Sequence, residues 1–453
     1  MTDANAPTLP ERDQRSVWHP YTPLLGERET LPVERAEGVY LYVGNGRRIL
    51  DCIASWWVNL HGHAHPRLAE ALYRQAMELE HVIFAGFTHA PAVRLAEQLL
   101  GILPSNQTKV FYSDNGSTAV EVALKMAFQY WYNRGTERKK VLAWRGAYHG
   151  DTFGAMSVGE RGPFNASFAP YLFEVDFIDF PPCSRPHCCL GNASLKKGCS
   201  PTACEAVAGI LRRFRTLAEG GEVAAFISEP LVQGAAGMRM YPANLLDELW
   251  RIAHENGILC IADEVMTGFG RTGELFASDH LTEQPDLVCL SKGLTGGTMA
   301  LGVTTCTEQV VSAFRTADRT KAFFHGHSFT ANPLACAVAL ASLELLLTPE
   351  CRQHIHRIAR KHLAFVERVR HHPGVKDVRC LGVILAVELR SPQETGYFNE
   401  ARDFLYHFFL ARDLLMRPLG NVIYILPPYV IRDEELDSIY AAIFELLDRI
   451  NHN

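Results

Sequence analysis

Leu287-Val-Cys-Leu-Ser-Lys-Gly-Leu-Thr-Gly-Gly297 is an apolar run that stops on Ser-Lys-Gly, and Ile261-Ala-Asp-Glu-Val265 is an apolar run that stops on an acid. Each reads as a strand buried on both faces, because neither shows the polar alternation of a half-exposed strand. Each delivers one charged side chain at its end: an amine at Lys292 and a permanent hydrogen-bond acceptor at Asp263. A lysine near the mouth of a parallel sheet, facing an acid that can keep a pyridine nitrogen protonated, is the arrangement pyridoxal 5'-phosphate requires.

Outward from these two runs, strands and helices alternate. Lys109–Tyr112, Val141–Trp144, Ala224–Ser228, Gly257–Ala262 and Asp286–Leu290 read as strands. Between them lie helical stretches such as Ser117–Trp131, which puts Val120, Ala123, Leu124 and Ala127 on one face, and Leu245–His254. This order predicts an α/β fold with a large, mostly parallel sheet covered on both sides. Gly38–Val43 and Arg48–Leu50 flank a Gly-Asn-Gly turn and read as a hairpin, and helices are expected from Arg67 and after Pro91. An Ala/Leu-rich helix should run from Asn332 to Leu347. Beyond residue 350 the pattern becomes helix 352–370, strand 376–388, helix 400–414, strand 422–426 and helix 433–451, a small α+β unit. The expected division is an N-terminal segment 1–65 serving the small domain and the active site, a large domain 66–349, and a small domain 350–453.

A chain of 453 residues is long enough for two domains. Hydrophobic content of 47% and charged content of 21% suit a globular protein rather than a disordered one. A net charge of −6 with no basic face gives no case for nucleic acid. Apolar stretches are strand-length, so no membrane span is expected, and the polar first 15 residues do not resemble a signal peptide, which makes the cytoplasm the expected location. Of the 12 cysteines, Cys52, Cys260, Cys289, Cys306, Cys336, Cys351 and Cys380 stand singly, several of them in apolar runs, as small hydrophobes. Cys183, Cys188, Cys189, Cys199 and Cys204 cluster with His187 in a stretch 183–204. Their spacing is not a clean pair of C-x2-C knuckles, so the expectation is a reduced surface insertion without metal; zinc, an iron–sulfur cluster or a disulfide-linked loop are the open alternatives.

Other residues gather round the Lys292–Asp263 pair. In Ser113-Asp-Asn-Gly-Ser-Thr118, a strand gives way to a helix at Gly116 and Ser117, where free N–H groups and hydroxyls suit a phosphate. Tyr148 in Ala147-Tyr-His-Gly-Asp151 is placed to stack on an aromatic cofactor. Glu229 ends a strand. Gly268-Phe-Gly-Arg-Thr-Gly273 has three glycines but neither follows a strand nor opens a helix, which excludes a dinucleotide loop. Phe324-His-Gly-His-Ser-Phe-Thr330 is a polar loop leading into a helix, suited to an anion.

Asp-Glu-Val, Gly-Phe-Gly-Arg-Thr-Gly, Ser-Lys-Gly and His-Gly-His-Ser-Phe-Thr-Ala-Asn-Pro resemble the class III (ω-) aminotransferases of fold type I. Trp18-His-Pro-Tyr-Thr22, Ser55-Trp56-Trp57, Tyr148–Ser157, Gln233–Tyr241 and Arg417-Pro-Leu-Gly420 resemble the biotin-pathway branch of that class, over residues 15 to 447. That branch moves an amino group onto 8-amino-7-oxononanoate to form 7,8-diaminononanoate. The resemblance implies roles by position. Lys292 would be the Schiff-base lysine and proton carrier, Asp263 the partner of the pyridine nitrogen, and Val265 would pack under the ring. Gly116 and Ser117 would hold the phosphate, completed by His327 and Ser328 from a second subunit of a homodimer. Tyr148 would cover the ring and Glu229 lie near it. Tyr21, a further catalytic candidate, would line the substrate pocket with Trp56, Trp57, Gly326 and Arg417, and Arg417 would take the acceptor's carboxylate. Where S-adenosylmethionine users carry Pro-Thr or a similar pair, this chain has His327-Ser328. The donor therefore stands between S-adenosylmethionine, the expected one, and lysine. Another ω-aminotransferase, acting on ornithine, 4-aminobutyrate or a diamine, is the enzymatic alternative; a binding protein that has lost catalysis is the alternative of another class.

Overall fold

The structure, a computed structural model, describes residues 7–25, 30–181 and 205–451. Its principal sheet has seven strands: β1 (Gln107–Ser113), β2 (Lys140–Trp144), β3 (Asp176–Ile178), β4 (Val223–Ser228), β5 (Leu259–Asp263), β6 (Leu287–Leu290) and β7 (Gly302–Thr307). Their spatial order is β1-β7-β6-β5-β4-β2-β3. The pairs from β6 across to β3 are parallel, whereas β7 runs antiparallel to both β6 and β1. The α/β expectation holds. Strand β7 is the piece missed: it follows β6 with no covering helix between them, so the strand–helix rhythm gives no cue for it.

Every residue of β4, β5, β6 and β7 is buried, which explains why these runs lack polar alternation. Successive residues feed opposite layers. Ile227, Ile261, Leu287 and Cys289 join the helix Gly116–Asn133 through Val120, Ala123, Leu124 and Ala127, the face anticipated from the sequence. Phe226, Cys260, Val288 and Leu290 face the other way, towards Phe214 of helix Glu205–Glu219 and Leu249 and Trp250 of helix Ala243–Glu255. Two helical layers over one sheet bury both faces.

The helix Pro333–Leu346 is apolar nearly all round and lies buried. Among the described residues no single helix is long and apolar enough to cross a membrane. The seven scattered cysteines are free and buried; the cysteine-rich stretch 183–204 lies outside the described residues.

The C-terminal part differs from its expected outline in two places. The strand expected over 376–388 is a hairpin, Val375–Leu381 and Ile384–Leu389, which forms a three-stranded antiparallel sheet with Val422–Ile425. The helix expected over 400–414 stops at Leu410, and Leu414–Leu415 becomes a strand parallel to Arg47–Asp51. That pairing adds it to the N-terminal hairpin, Val33–Glu37, Tyr40–Val43 and Arg47–Asp51. A two-residue strand drawn to a partner remote in sequence leaves no local periodicity to read. Its effect is to bring the segment after Asp51 beside the turn that carries Arg417.

Candidate active site

The carboxyl ends of β1, β2, β4, β5 and β6 open into one cavity of about 860 Å³, where ligands of open α/β sheets bind. Lys292 follows β6 after Ser291, whose hydroxyl donates to the Leu301 carbonyl at 2.7 Å. The backbone of Lys292 sits at φ 45°, a left-handed conformation a lysine rarely adopts. Its amine lies 4.7 Å from the centroid of the Trp57 ring. Burial pulls the amine down to about 8; Arg271 pushes the same way, and Asp263 and Glu229 oppose.

Asp263 closes β5 and is buried. The Val265 N–H donates to its Oδ1 at 3.1 Å, and His149 Nδ1 lies 2.6 Å from its Oδ2. A carboxylate can only accept, so the imidazole donates. His149 was quoted in the sequence as part of a motif but given no role; its partnership with Asp263 is what the sequence reading missed. Glu229 follows β4 and is also buried. It accepts N–H donors from Tyr148 at 3.1 Å and Gly234 at 2.9 Å. Burial raises its carboxyl to about 7, against the opposing charge of His149.

The phosphate candidates stand at the start of helix Gly116–Asn133. Asn115 caps it by accepting from the Thr118 N–H at 3.0 Å. The first-turn N–H groups of Gly116 and Ser117 have no partner within a helix. A Cβ on Gly116 would stand 2.7 Å from Val265 Cγ1, so only glycine lets the helix end approach the strand end this closely. A bare helix N-terminus, an oriented carboxylate and an amine of lowered basicity, all lining one cavity, fit pyridoxal phosphate by donor chemistry.

The other side of the cavity is aromatic. Ala54, Ser55 and Trp57 all have positive φ, at 51°, 60° and 67°. Buried Asp51 holds this strained segment by accepting from the N–H groups of Ile53 (3.1 Å) and Ser55 (2.6 Å), and His63 Nε2 lies 2.9 Å from it. The strain sends the two indoles to different places. Trp57 goes to Lys292 and hydrogen-bonds the Tyr424 hydroxyl at 3.0 Å; Trp56 lies under the Arg417 guanidinium, 4.5 Å from its ring centroid. Among the described residues no carboxylate pairs with Arg417, so the fork is left for a ligand. Tyr21 packs edge-on against Trp56 with ring centroids 5.7 Å apart, and its hydroxyl donates to Asp151. Burial and the Asp151 bond push that hydroxyl up to about 12; burial and the Tyr21 contact also raise Tyr148, whose hydroxyl lies 3.5 Å from that of Tyr21. Arg271, quoted in the sequence within a motif but given no role of its own, is fully buried. It donates to the carbonyls of Trp57 (3.2 Å), Asn59 (3.1 Å) and Pro427 (3.1 Å), fixing the aromatic segment to the floor of the site.

Of the residues expected to form the site, Tyr21, Trp56, Trp57, Gly116, Ser117, Tyr148, Glu229, Asp263, Val265, Lys292 and Arg417 line this cavity. Gly326, His327 and Ser328 do not; Gly326 and Ser328 are exposed on a separate loop, where the His327 N–H donates to Thr330 at 3.0 Å.

Residues 25–447 match the family model described as Aminotransferase class-III. The chain is 50% identical, over 96% of its length and 99% of the relative's, to an adenosylmethionine-8-amino-7-oxononanoate aminotransferase of Synechococcus elongatus. A crystal structure of the enzyme of that name from Methanocaldococcus jannaschii superposes with a TM-score of 0.85 at 35% identity, covering 96% of this chain and 98% of the other. An amine transaminase from an uncultivated Pseudomonas species, solved in its pyridoxal-phosphate-bound form, gives 0.86 at 30% identity with the same coverage.

Proposed function

Because this chain belongs to the class-III aminotransferase family, we propose that it transfers an amino group from S-adenosylmethionine to 8-amino-7-oxononanoate, forming 7,8-diaminononanoate, with pyridoxal phosphate as cofactor. Gly116 and Ser117 would hold the phosphate, Asp263 the pyridine nitrogen, and Val265, Tyr148 and Glu229 the surroundings of the ring. When bound, the cofactor supplies an electron sink for the carbon that loses or gains a proton. The chain's own residues do the rest. Lys292, brought down to about 8, is substantially neutral near that pH and can take a proton at Nζ and hand it back. The His149 and Val265 donors fix the direction in which the Asp263 carboxylate points. Trp57 keeps water from the amine. Tyr21 stays protonated with its proton held by Asp151, and its hydroxyl oxygen can accept from a substrate donor. Arg417 offers a planar fork to the acceptor's distal carboxylate, with Trp56 against the guanidinium.

The observation that carries this reading is the one cavity joining Lys292, Asp263 and Arg417, the last paired with no carboxylate among the described residues. Lysine as donor is the second reading, motivated by His327-Ser328. Product formation from the oxononanoate, measured side by side with S-adenosylmethionine and with lysine, tests it. Turnover with the former alone is expected, and turnover with neither would defeat the proposal.

The exposed loop bearing Gly326, His327 and Ser328 would complete the phosphate site of a second copy, making the enzyme a homodimer. Exposed Phe324 and Phe329 flank that loop and support the reading. Residues 66–349 would form the cofactor domain and 350–453 the small domain, joined by the N-terminal segment 1–65. The expected setting is the cytoplasm.

A further inference from the structure

The loop Glu394–Phe398 lies over the Arg417–Gly420 turn, and Thr395, Gly396 and Tyr397 line the cavity beside Arg417. The approach is close: Gly420 has φ +66°, and a Cβ there would fall 1.7 Å from the Gly396 carbonyl oxygen. The loop is tied down. The Thr395 hydroxyl donates to Glu388 at 2.6 Å and accepts from Lys376 at 2.9 Å. The Asn399 N–H donates to the Gly396 carbonyl at 3.0 Å, and its Nδ2 donates to Ser391 Oγ at 2.9 Å. The Tyr397 ring is held between Phe164, edge-on at 4.9 Å, and the Arg402 guanidinium at 4.7 Å. Its hydroxyl oxygen accepts from Arg417 Nη2 at 3.5 Å. Among the described residues no acceptor takes the Tyr397 proton, which leaves it free to donate.

We propose that Tyr397 is a second recognition group for the acceptor's carboxylate, donating its hydroxyl proton to the oxygen pair that Arg417 grips. The assignment rests on the function proposed above and names the group that sharpens its substrate choice. A carboxylate has about four acceptor positions, more than one guanidinium fork fills. A donor fixed by ring contacts adds a charge-assisted bond at little cost in ordering.

Tyr397→Phe keeps the ring contacts and removes only the hydroxyl. Nonanoate, a nine-carbon chain with a carboxylate but no ketone or amine, serves as the binding probe, with methyl nonanoate as its uncharged control. Calorimetry on the holoenzyme should show nonanoate binding weakened about tenfold in Tyr397→Phe, with methyl nonanoate changed less than about twofold. KM for the oxononanoate should rise by a similar factor while kcat and the donor half-reaction stay as they were. Unchanged nonanoate affinity, or equal weakening of both probes, would overturn the assignment. If the wild type binds nonanoate yet turns over no oxononanoate with either donor, the proposed function falls, and the binding comparison still decides the role of Tyr397.

Discussion

The lysine end and the arginine end of the cavity are built in different ways. At the lysine end, Asp263, Glu229 and Lys292 are delivered by adjacent strands of one sheet, and Asp263 and Glu229 are buried with their acceptors occupied by fixed donors. At the arginine end, Arg417, Trp56, Tyr21 and Tyr397 come from loops and turns far apart in the chain, and Trp56 and Tyr21 remain substantially exposed. The difference separates two tasks. Chemistry that moves protons needs a dry site of fixed geometry, and the carboxyl ends of central strands provide one. Choice among substrates needs surface that can vary without disturbing those strands.

Substitutions at the two ends should therefore fail differently. Lys292→Ala removes the proposed proton carrier and should cost about a thousandfold or more in turnover, on the order of 4 kcal/mol. Cofactor should still bind, noncovalently, and both half-reactions should be lost together in stopped-flow traces. Appreciable multiple turnover by this variant would break the comparison at its first point. Asp263→Asn should keep the fold and lose roughly a hundredfold in rate, on the order of 3 kcal/mol, because a neutral amide cannot hold a ring nitrogen protonated. Near-native turnover would mean that another acid serves. Arg417→Ala should be selective, weakening the acceptor by roughly 2–4 kcal/mol in kcat/KM while sparing the donor half-reaction. Equal damage to both halves, read from single-turnover spectra, would show that the arginine end is not a separate specificity region.

The same division governs what the sequence could tell. The strands ending on Asp263 and Lys292 are continuous apolar runs punctuated by one charge, so local pattern and local chemistry agree. The helix opening at Gly116 carried its cap in the sequence. The hairpin at Arg47–Asp51 was also legible, but its pairing with Leu414–Leu415 was not, and that pairing brings the tryptophans near Arg417. Asp51, which anchors the left-handed backbone at Ala54–Ser55, lies one residue past the expected strand Arg48–Leu50 and was given no role. His149 stood inside a quoted motif, yet only the sheet order shows it reaching Asp263. Arg271 stood in a glycine-rich motif that was rejected as a nucleotide loop and counted towards the family resemblance, but the side chain itself was given no role. The residues of the loop Phe324–Thr330 spoke only for an anion; it was the resemblance, assigning His327 and Ser328 to a second subunit, that implied a place outside this chain's cavity. Tyr397 gave no signal, since its partners Phe164 and Arg417 come from other parts of the chain.

On the proposed function, Lys292 is the amine this cavity offers to pyridoxal phosphate. Borohydride reduction of the holoenzyme fixes the cofactor to whichever lysine carries it, and peptide mass mapping then identifies the residue. One cofactor per chain is expected, on the peptide containing Ser291-Lys292-Gly293, with no label in Lys292→Ala. Label on another lysine, or none on the holoenzyme, would contradict it.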